Sequence, residues 1–343
     1  MSNIRRYFFE ISLFILLFLV VFLFANINVD NFFQSQDFEA NIYLLSNSDI
    51  GIEKALIYPL FNSLLLPMIE PVTFMLLAWS FLPTILIYFT AYIIRKLLKD
   101  IAANKSYILV LVLSSACFYF SLSYMLFGNF IPTAHLLFQS LASVFFLLTL
   151  WHWYDNRKYS ILFFTISLSM HYVAILYLLI LFITNYIHKI RFSWFKLFGV
   201  FIMSMALYYV LILGYSALRL GDISPDKISS MGVKDITSTY ISILVASLGF
   251  ILLFFFRFVL YNLIKQKNID LFIKKIINIY TYSLLLAVFS WMVSFQFLGI
   301  GYRIGFLVYV WAPLLISLLP AIGILLLGGI LKTTGNKKTT CFQ

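Results

Sequence analysis

Charged residues are scarce in this chain. Asp, Glu, Lys and Arg together make up 11% of the 343 residues, against 63% that are hydrophobic. No water-soluble globular domain approaches this balance, so the medium that surrounds the chain is lipid. Because little polar sequence separates the apolar runs, there is no room for a separate soluble catalytic domain.

Cysteine and the common cofactor motifs are also almost missing. The chain has two cysteines, Cys117 inside an apolar run and Cys341 in the C-terminal tail. This number excludes a disulfide framework and a cysteine metal cluster. No Walker, Rossmann, zinc or nucleophile-elbow motif is present, so ATP, nicotinamide and metal chemistry have no support and we predict no cofactor.

Apolar runs that can cross a hydrocarbon core recur along the whole chain. The first, at about 7–27, follows Arg5 and Arg6 and lacks a small-residue cleavage site, which is typical of an uncleaved signal anchor. Further runs lie at 72–94, 106–126, 134–154, 159–187, 195–217, 237–262, 276–298 and 304–331. We therefore predict an all-α fold, a polytopic transmembrane helical bundle of about ten membrane segments forming a single domain over 1–343.

The 159–187 run has basic residues on both sides. Arg157 and Lys158 precede it, and Lys189 and Arg191 follow it. Since Lys and Arg beside a membrane favour the cytoplasm, we predict a hairpin of two short helices that turns near His171. A first arm of about twelve residues rises only about 18 Å, so the turn stays inside the bilayer and needs protein or a water-filled cavity around it. His171 should therefore line a cavity that opens to the outside.

With this hairpin, the charges sort by side of the membrane. Nineteen of the 24 Lys and Arg residues fall on the cytoplasmic side, together with both termini. Nine of the 13 acidic residues fall in extracytoplasmic loops, which we place at about 28–71 and 218–236. The net charge of +11 then reflects topology, and we predict no nucleic-acid partner. No Asp, Glu, Lys or Arg falls at the midplane of a predicted helix, unlike in ion-coupled transporters.

The outer ends of the predicted helices hold candidate cationic groups. Arg303 and Arg219 carry guanidinium groups that can clamp a phosphate or pyrophosphate, and His135 is a third candidate for this role. Each also has an ordinary explanation, as a snorkelling side chain or as a hydrogen-bonding group at a helix start.

The same end holds candidate bases. His171 can act as a general base or donate a hydrogen bond to a leaving phosphate, and Asp37 or Glu53 can activate a hydroxyl group. The two acids could equally be solvated loop residues, and which residue is the base stays open. His152, between two tryptophans, is better explained as part of an interfacial aromatic belt at the cytoplasmic surface.

Four short stretches carry a resemblance to a known family. They are Asp37 to Tyr43 with Ile52, Glu53 and Tyr58; Asn129 past His135 to the turn at Asp155 to Lys158; Ser169, Met170, His171, Tyr172, Val173 and Ala174; and Arg303 with Ile304 and Tyr309. Together they resemble the EpsG/Wzy family of polysaccharide polymerases. This chain departs from the family pattern at Pro132, where an Arg is usual nearby, at Val173, where Ser is usual, and after Glu53, where Pro-Gly is usual.

The resemblance implies a metal-independent membrane glycosyltransferase of GT-C-like character. Such an enzyme joins undecaprenyl-pyrophosphate-linked repeat units on the outer face of the bacterial cytoplasmic (inner) membrane, producing O-antigen of lipopolysaccharide or capsule. Its implied partners are the lipid-linked glycan donor and acceptor, membrane lipid, a chain-length regulator and a flippase.

Three alternatives stay open at this point. An O-antigen ligase-like transferase would use the same outward cavity. A lipid-linked oligosaccharide flippase or transporter would need a polar path through both leaflets, which the uncharged midplane argues against. A scaffolding membrane protein predicts that substitutions of His171 and Arg303 change nothing. The sequence does not determine the sugar, its linkage, the anomeric outcome or the oligomeric state.

Overall fold

The computed structural model describes residues 3–33, 36–46, 56–60, 64, 68–101, 107–123, 125–126, 136–189, 271–294 and 305–320. Within these ranges the chain is almost entirely helical and contains no strand, in agreement with the predicted all-α fold. The predicted segments at 195–217 and 237–262 lie outside the described residues. The helices are, in chain order, α1 (Asn3–Ile27), α2 (Val29–Phe32), α3 (Gln36–Ser46), α4 (Ile57–Leu60), α5 (Pro71–Ile101), α6 (Tyr107–Ser123), α7 (Leu137–His152), α8 (Arg157–Met170), α9 (Val173–Lys189), α10 (Leu271–Ser294) and α11 (Gly305–Pro320).

The chain divides into two compact units, and three helices contribute to both. The first unit comprises Met1–Phe146, Leu162–Tyr172 and Val310–Gln343. The second comprises Leu147–Ile161 and Val173–Tyr309.

Two described helices of the first unit are long and apolar enough to span a membrane. They are Phe8–Ile27 in α1 and Pro71–Lys96 in α5. The ring of Phe14 lies 5.6 Å from that of Tyr88, and the ring of Phe18 lies 4.6 Å from that of Phe81, so the two helices run antiparallel. Only 11% of the α1 span is buried against 61% of the α5 span, so most of the apolar surface of α1 is exposed.

A charged contact closes one end of the α1–α5 pair. Glu10 accepts one hydrogen bond from the Tyr88 hydroxyl and one from Arg95 Nη2, each 2.7 Å long. A carboxylate on an otherwise apolar helix needs such partners, because an unpaired charge outside water is costly. The contact joins the beginning of α1 to the end of α5, which are the two ends that the charge sorting assigns to the cytoplasm.

The polar stretch at 28–70, predicted only as a loop, folds into short helices where it is described. Phe32 lies 5.1 Å from Phe38 and 5.2 Å from Trp79, measured between ring centroids, and all three side chains are buried. The Tyr58 hydroxyl of α4 donates a 2.5 Å hydrogen bond to Asn41 Oδ1 of α3. Aromatic burial therefore holds α2 and α3 on the first turns of α5.

Two serines hold α8 against α7. Ser160 Oγ donates to the carbonyl of Thr149 at 3.1 Å, and Ser167 Oγ donates to that of Ala142 at 2.6 Å. Both serines are buried. Each pair of contacts is seven residues apart on its helix, so α7 and α8 are antiparallel and touch along one face. Small residues with hydroxyl-to-carbonyl bonds are the usual way for helices to approach closely in lipid.

The two ends of the 159–187 region meet in the second unit. The Tyr154 hydroxyl donates to Asn185 Oδ1 at 2.7 Å, and the ring of Trp153 lies 6.1 Å from that of Phe182. A single uninterrupted helix would separate residues 154 and 185 by about 45 Å. The chain therefore goes out along α8 and returns along α9, which is the geometry of a hairpin.

Candidate functional site at the α8–α9 turn

The hairpin reverses at His171 and Tyr172. Helix α8 ends at Met170 and α9 begins at Val173. The backbone N–H of His171 donates to the Ser167 carbonyl at 3.1 Å and thereby completes the last turn of α8. The His171 side chain is half-buried. His171 thus lies where we predicted it, at the interruption between the two arms.

A serine side chain bonds the backbone in the last turn of α8. Ser169 Oγ donates to the Ile166 carbonyl at 2.8 Å. A hydroxyl that bonds a backbone carbonyl three residues earlier offers that carbonyl an alternative to the helical hydrogen bond and competes with further helix. Among the described residues no backbone has a positive φ, so the reversal does not use a left-handed residue.

Both arms of the hairpin are short. Helix α8 has 14 residues and α9 has 17, which correspond to lengths of about 21 Å and about 25 Å. A hydrocarbon core is about 30 Å thick. If the paired ends at Tyr154 and Asn185 lie at one membrane surface, the turn lies within the bilayer, short of the other surface.

The helices of the first loop lie at the His171 end of the first unit. Because Ser167 is level with Ala142 and α7 runs antiparallel to α8, His171 is level with the first turn of α7, near Phe138. The Phe138 ring lies 5.3 Å from that of Tyr58, which in turn bonds Asn41 of α3. The turn and α3 therefore belong to the same end of this unit.

The structure describes only some of the predicted site residues. Asp37 is the second residue of α3, one turn before Asn41 in the chain. Glu53, His135, Arg219 and Arg303 lie outside the described residues.

Helix α11, which begins two residues after Arg303, makes a close contact in the second unit. A Cβ atom added at Gly305 would lie 2.3 Å from Ser290 Oγ and 3.0 Å from Ser290 Cβ, so any larger residue here would force Ser290 to shift. Ser290 is fifteen residues, or about 22 Å, along α10 from Lys275.

The start of α9 lies toward the same end of α10. The Tyr282 hydroxyl of α10 donates to the Tyr177 carbonyl of α9 at 2.8 Å, and Val173 lies one further turn from Lys275. The starts of α9 and α11 are therefore both remote from Lys275 in this unit.

A second polar cluster, which the sequence did not predict, lies at the Lys275 end. The buried Lys275 ammonium bonds the Asp155 carboxylate and lies 4.8 Å from the centre of the Trp151 ring. His152 Nδ1 is 3.6 Å from the other oxygen of Asp155, so His152 contacts a carboxylate in addition to its aromatic neighbours. Burial alone would raise the pKa of Asp155, but the hydrogen bond and charge of Lys275 outweigh it and hold that pKa below its ordinary value.

The signal for this cluster is weak in the sequence. Asp155 and Lys275 are 120 residues apart in the chain. An acidic residue close to Arg157 and Lys158 also looks like an ordinary solvated residue of a turn. The available hint is that Lys275 directly precedes the apolar run at 276–298, where an ammonium group that becomes buried needs a partner.

No group of three or more His, Cys, Asp or Glu side chains that could hold a metal ion occurs in the described ranges. Comparison with family models, curated proteins and solved structures found no match to this chain.

Proposed function

We propose that this chain is a membrane glycosyltransferase that polymerises undecaprenyl-pyrophosphate-linked oligosaccharide repeat units on the outer face of the cytoplasmic membrane. The observation that supports this most is the interruption of the α8–α9 hairpin at a half-buried histidine, in arms shorter than the roughly 30 Å thickness of a hydrocarbon core. An interrupted helix pair at membrane depth is tolerated where it lines a cavity. It is also where membrane proteins commonly bind polar substrates.

The reaction requires a base and a cationic site. The acceptor sugar hydroxyl loses its proton, its oxygen forms a bond to the anomeric carbon of the donor, and undecaprenyl pyrophosphate leaves with the electron pair of the broken bond. We assign the proton transfer to His171, with Asp37 and Glu53 as the other candidates. We assign the pyrophosphate to Arg303, Arg219 and His135, since charge on the leaving group is best stabilised by fixed cations.

The placement of His171 in its helix pair suits this role. The first backbone N–H groups of α9 lack partners within the helix and carry the positive end of its dipole to the turn beside His171. A negatively charged leaving group is favoured at such a position. The sequence resemblance supports the proposed reaction class, and the position of His171 at the turn supports its assignment as the base.

Substitution of His171 and Arg303 tests the proposal. Polymer length is measured on gels of extracted polysaccharide from cells that express His171→Gln or Arg303→Ala, with membrane insertion checked by blotting. We expect both variants to insert and to yield glycan of one repeat unit. His188→Gln, which changes a histidine near the other end of α9, is the matched control and should retain normal chain length.

The outcomes separate the alternatives. If the chain were a ligase, its loss would leave no glycan attached to the final acceptor. Loss of a polymerase instead leaves a single attached repeat. Normal polymer in both His171→Gln and Arg303→Ala would overturn the proposal and favour a scaffolding role.

The orientation of the hairpin can be measured separately. Single cysteines at Lys158 and Lys189, in a variant without Cys117 and Cys341, should both react only with reagents that reach the cytoplasm. Labelling of the two positions from opposite sides of the membrane would show that His171 does not face the outside in the way proposed here.

A further inference from the structure

Three exposed basic side chains lie on two chain segments that meet in the second unit. Arg157 and Lys158 open α8, and Lys274 lies in the first turn of α10. The ion pair between Asp155 and Lys275 joins the two segments. Asp155 is two residues before Arg157 and three before Lys158, and Lys275 directly follows Lys274. Three basic residues from distant parts of the chain therefore lie within three residues of one ion pair.

Asp155, the one acidic residue among the described residues of these two segments, does not neutralise these charges. The Asp155 carboxylate bonds Lys275 through one oxygen and faces His152 through the other. Its lowered pKa agrees with a carboxylate that is held by the buried Lys275 ammonium. Within the part of the chain that the structure describes, no salt bridge is found for Arg157, Lys158 or Lys274.

Exposed apolar side chains adjoin the cations. Ile161 is 66% exposed and lies one turn after Arg157 and Lys158, on the same helix face. Leu271, 45% exposed, stands one turn before Lys274. Tyr159, beside Lys158, is 52% exposed. This surface therefore combines a cationic edge with an apolar side.

We infer that the surface formed by Arg157, Lys158, Lys274, Ile161 and Leu271 binds an anionic phospholipid of the surrounding membrane. The three cations contact the phosphate-bearing headgroup, and Ile161 and Leu271 contact the start of its acyl chains. A soluble anion would use the charges but not the apolar side, and a neutral lipid would use the apolar side but not the charges. Basic sites between membrane helices are known to select anionic headgroups in this way. The inference does not depend on the proposed glycosyltransferase activity.

The test measures lipid binding by the purified full-length chain in detergent. Native mass spectrometry counts retained dioleoylphosphatidylglycerol and dioleoylphosphatidylcholine, and thermal unfolding is followed while each lipid or free glycerol 3-phosphate is added. We expect phosphatidylglycerol to be retained and to raise the unfolding temperature, with an effect that weakens as salt is raised. Arg157→Gln/Lys158→Gln/Lys274→Gln should weaken its binding by about a hundredfold, since each basic residue near a membrane surface contributes roughly a factor of five.

Two control variants test whether binding depends on positive charge at these three positions. Lys332→Gln/Lys337→Gln/Lys338→Gln removes the same number of charges from the C-terminal tail and should bind phosphatidylglycerol like the unmodified chain. Arg157→Lys/Lys158→Arg/Lys274→Arg keeps the charges and should also retain binding. Equal binding of phosphatidylcholine, equal stabilisation by glycerol 3-phosphate, or an equal loss in the tail variant would each overturn the inference.

Discussion

The loss of stability that follows when the ion pair between Asp155 and Lys275 is broken can be predicted from the burial of its two side chains. The Lys275 side chain is 7% exposed and that of Asp155 is 34% exposed. Asp155→Asn therefore leaves an ammonium group buried without its carboxylate, whereas Lys275→Met leaves a carboxylate that water can still reach. The two single substitutions should destabilise the protein unequally, although each removes the same contact.

The magnitudes follow from that asymmetry. Removal of one partner of a fully buried pair costs about 3–5 kcal/mol. Because Asp155 is one-third exposed and Lys275 keeps its contact with the Trp151 ring, we expect about 2–3 kcal/mol for Asp155→Asn. For Lys275→Met we expect about 1 kcal/mol, since the methionine restores apolar packing around Trp151. The double variant should lose about 1–2 kcal/mol less than the sum of the two.

The assay is reversible unfolding of the purified chain by sodium dodecyl sulfate in mixed micelles, followed by tryptophan fluorescence. The four proteins of the cycle give four unfolding free energies. Additivity of the two single changes to within about 0.5 kcal/mol would refute the argument that the pair is coupled.

The pH dependence has a definite sign. The pKa of Asp155 is lower in the folded protein than its ordinary value of 3.8. The pair therefore contributes its full stabilisation above that ordinary value, and the contribution is lost as the pH falls through the lowered pKa. The difference in stability between the unmodified chain and Asp155→Asn should be constant near neutral pH and shrink below about pH 4.

Two further predictions concern close helix contacts and are checked by thermal unfolding in detergent. Ser167→Ala removes the hydrogen bond to the Ala142 carbonyl and should lower the unfolding free energy by about 0.5–1 kcal/mol. Ser167→Leu must fit a large side chain into a fully buried position and should prevent the packing of α8 on α7. Equal stabilities of these two variants would contradict the close approach of the helices. Gly305→Ala should lower the unfolding free energy by about 1–3 kcal/mol because its methyl group meets Ser290. Ser290→Ala, added to that variant, should restore part of the loss. An unchanged unfolding temperature in Gly305→Ala would show that α10 and α11 are further apart than described here.

Hydrophobicity and charge sufficed to predict the long helices among the described residues. The predicted runs at 7–27 and 72–94 correspond to α1 and α5, and the 159–187 run is divided at His171. These features depend on local sequence: apolar length sets the span, and the basic residues that flank it limit where its ends can lie.

Contacts between distant residues were not predictable in the same way. Nothing local distinguishes Glu10 as the partner of Arg95, 85 residues later, or Asp155 as the partner of Lys275. The short helices at 28–70 were missed because polar residues separate Phe32, Phe38 and Trp79, whose burial holds them in place. Such contacts follow from packing of whole helices, which a single sequence does not specify.

The candidate site was predictable only where it depends on the turn itself. His171 could be chosen because the flanking charges require a reversal within a run too short for two full crossings. Asp37 could be assigned to the polar stretch at 28–70, but not to a helix within it. For Glu53, His135, Arg219 and Arg303 the predicted roles remain predictions, since these residues lie outside the described ranges.

Two physically independent observations, the sorting of charged residues and the packing of side chains, indicate the same arrangement of the hairpin. The sorting of Lys and Arg depends on the energetics of membrane insertion, whereas the contact of Tyr154 with Asn185 depends on how side chains fit in the folded chain. Both place the two ends of the hairpin together, which leaves the His171 turn at the other end.

Helix α8 is then fixed by polar contacts along its length. The Asp155 ion pair holds the turn that precedes it, and Ser160 and Ser167 hold its two halves on α7. His171 follows Ser167 by one turn, so the hydroxyl that binds the Ala142 carbonyl also sets the position of the histidine. If His171 acts as the base, Ser167→Ala should lower the rate of polymerisation more than its small effect on stability explains, because a displacement of about 1 Å at a catalytic group is enough to slow a reaction about a hundredfold.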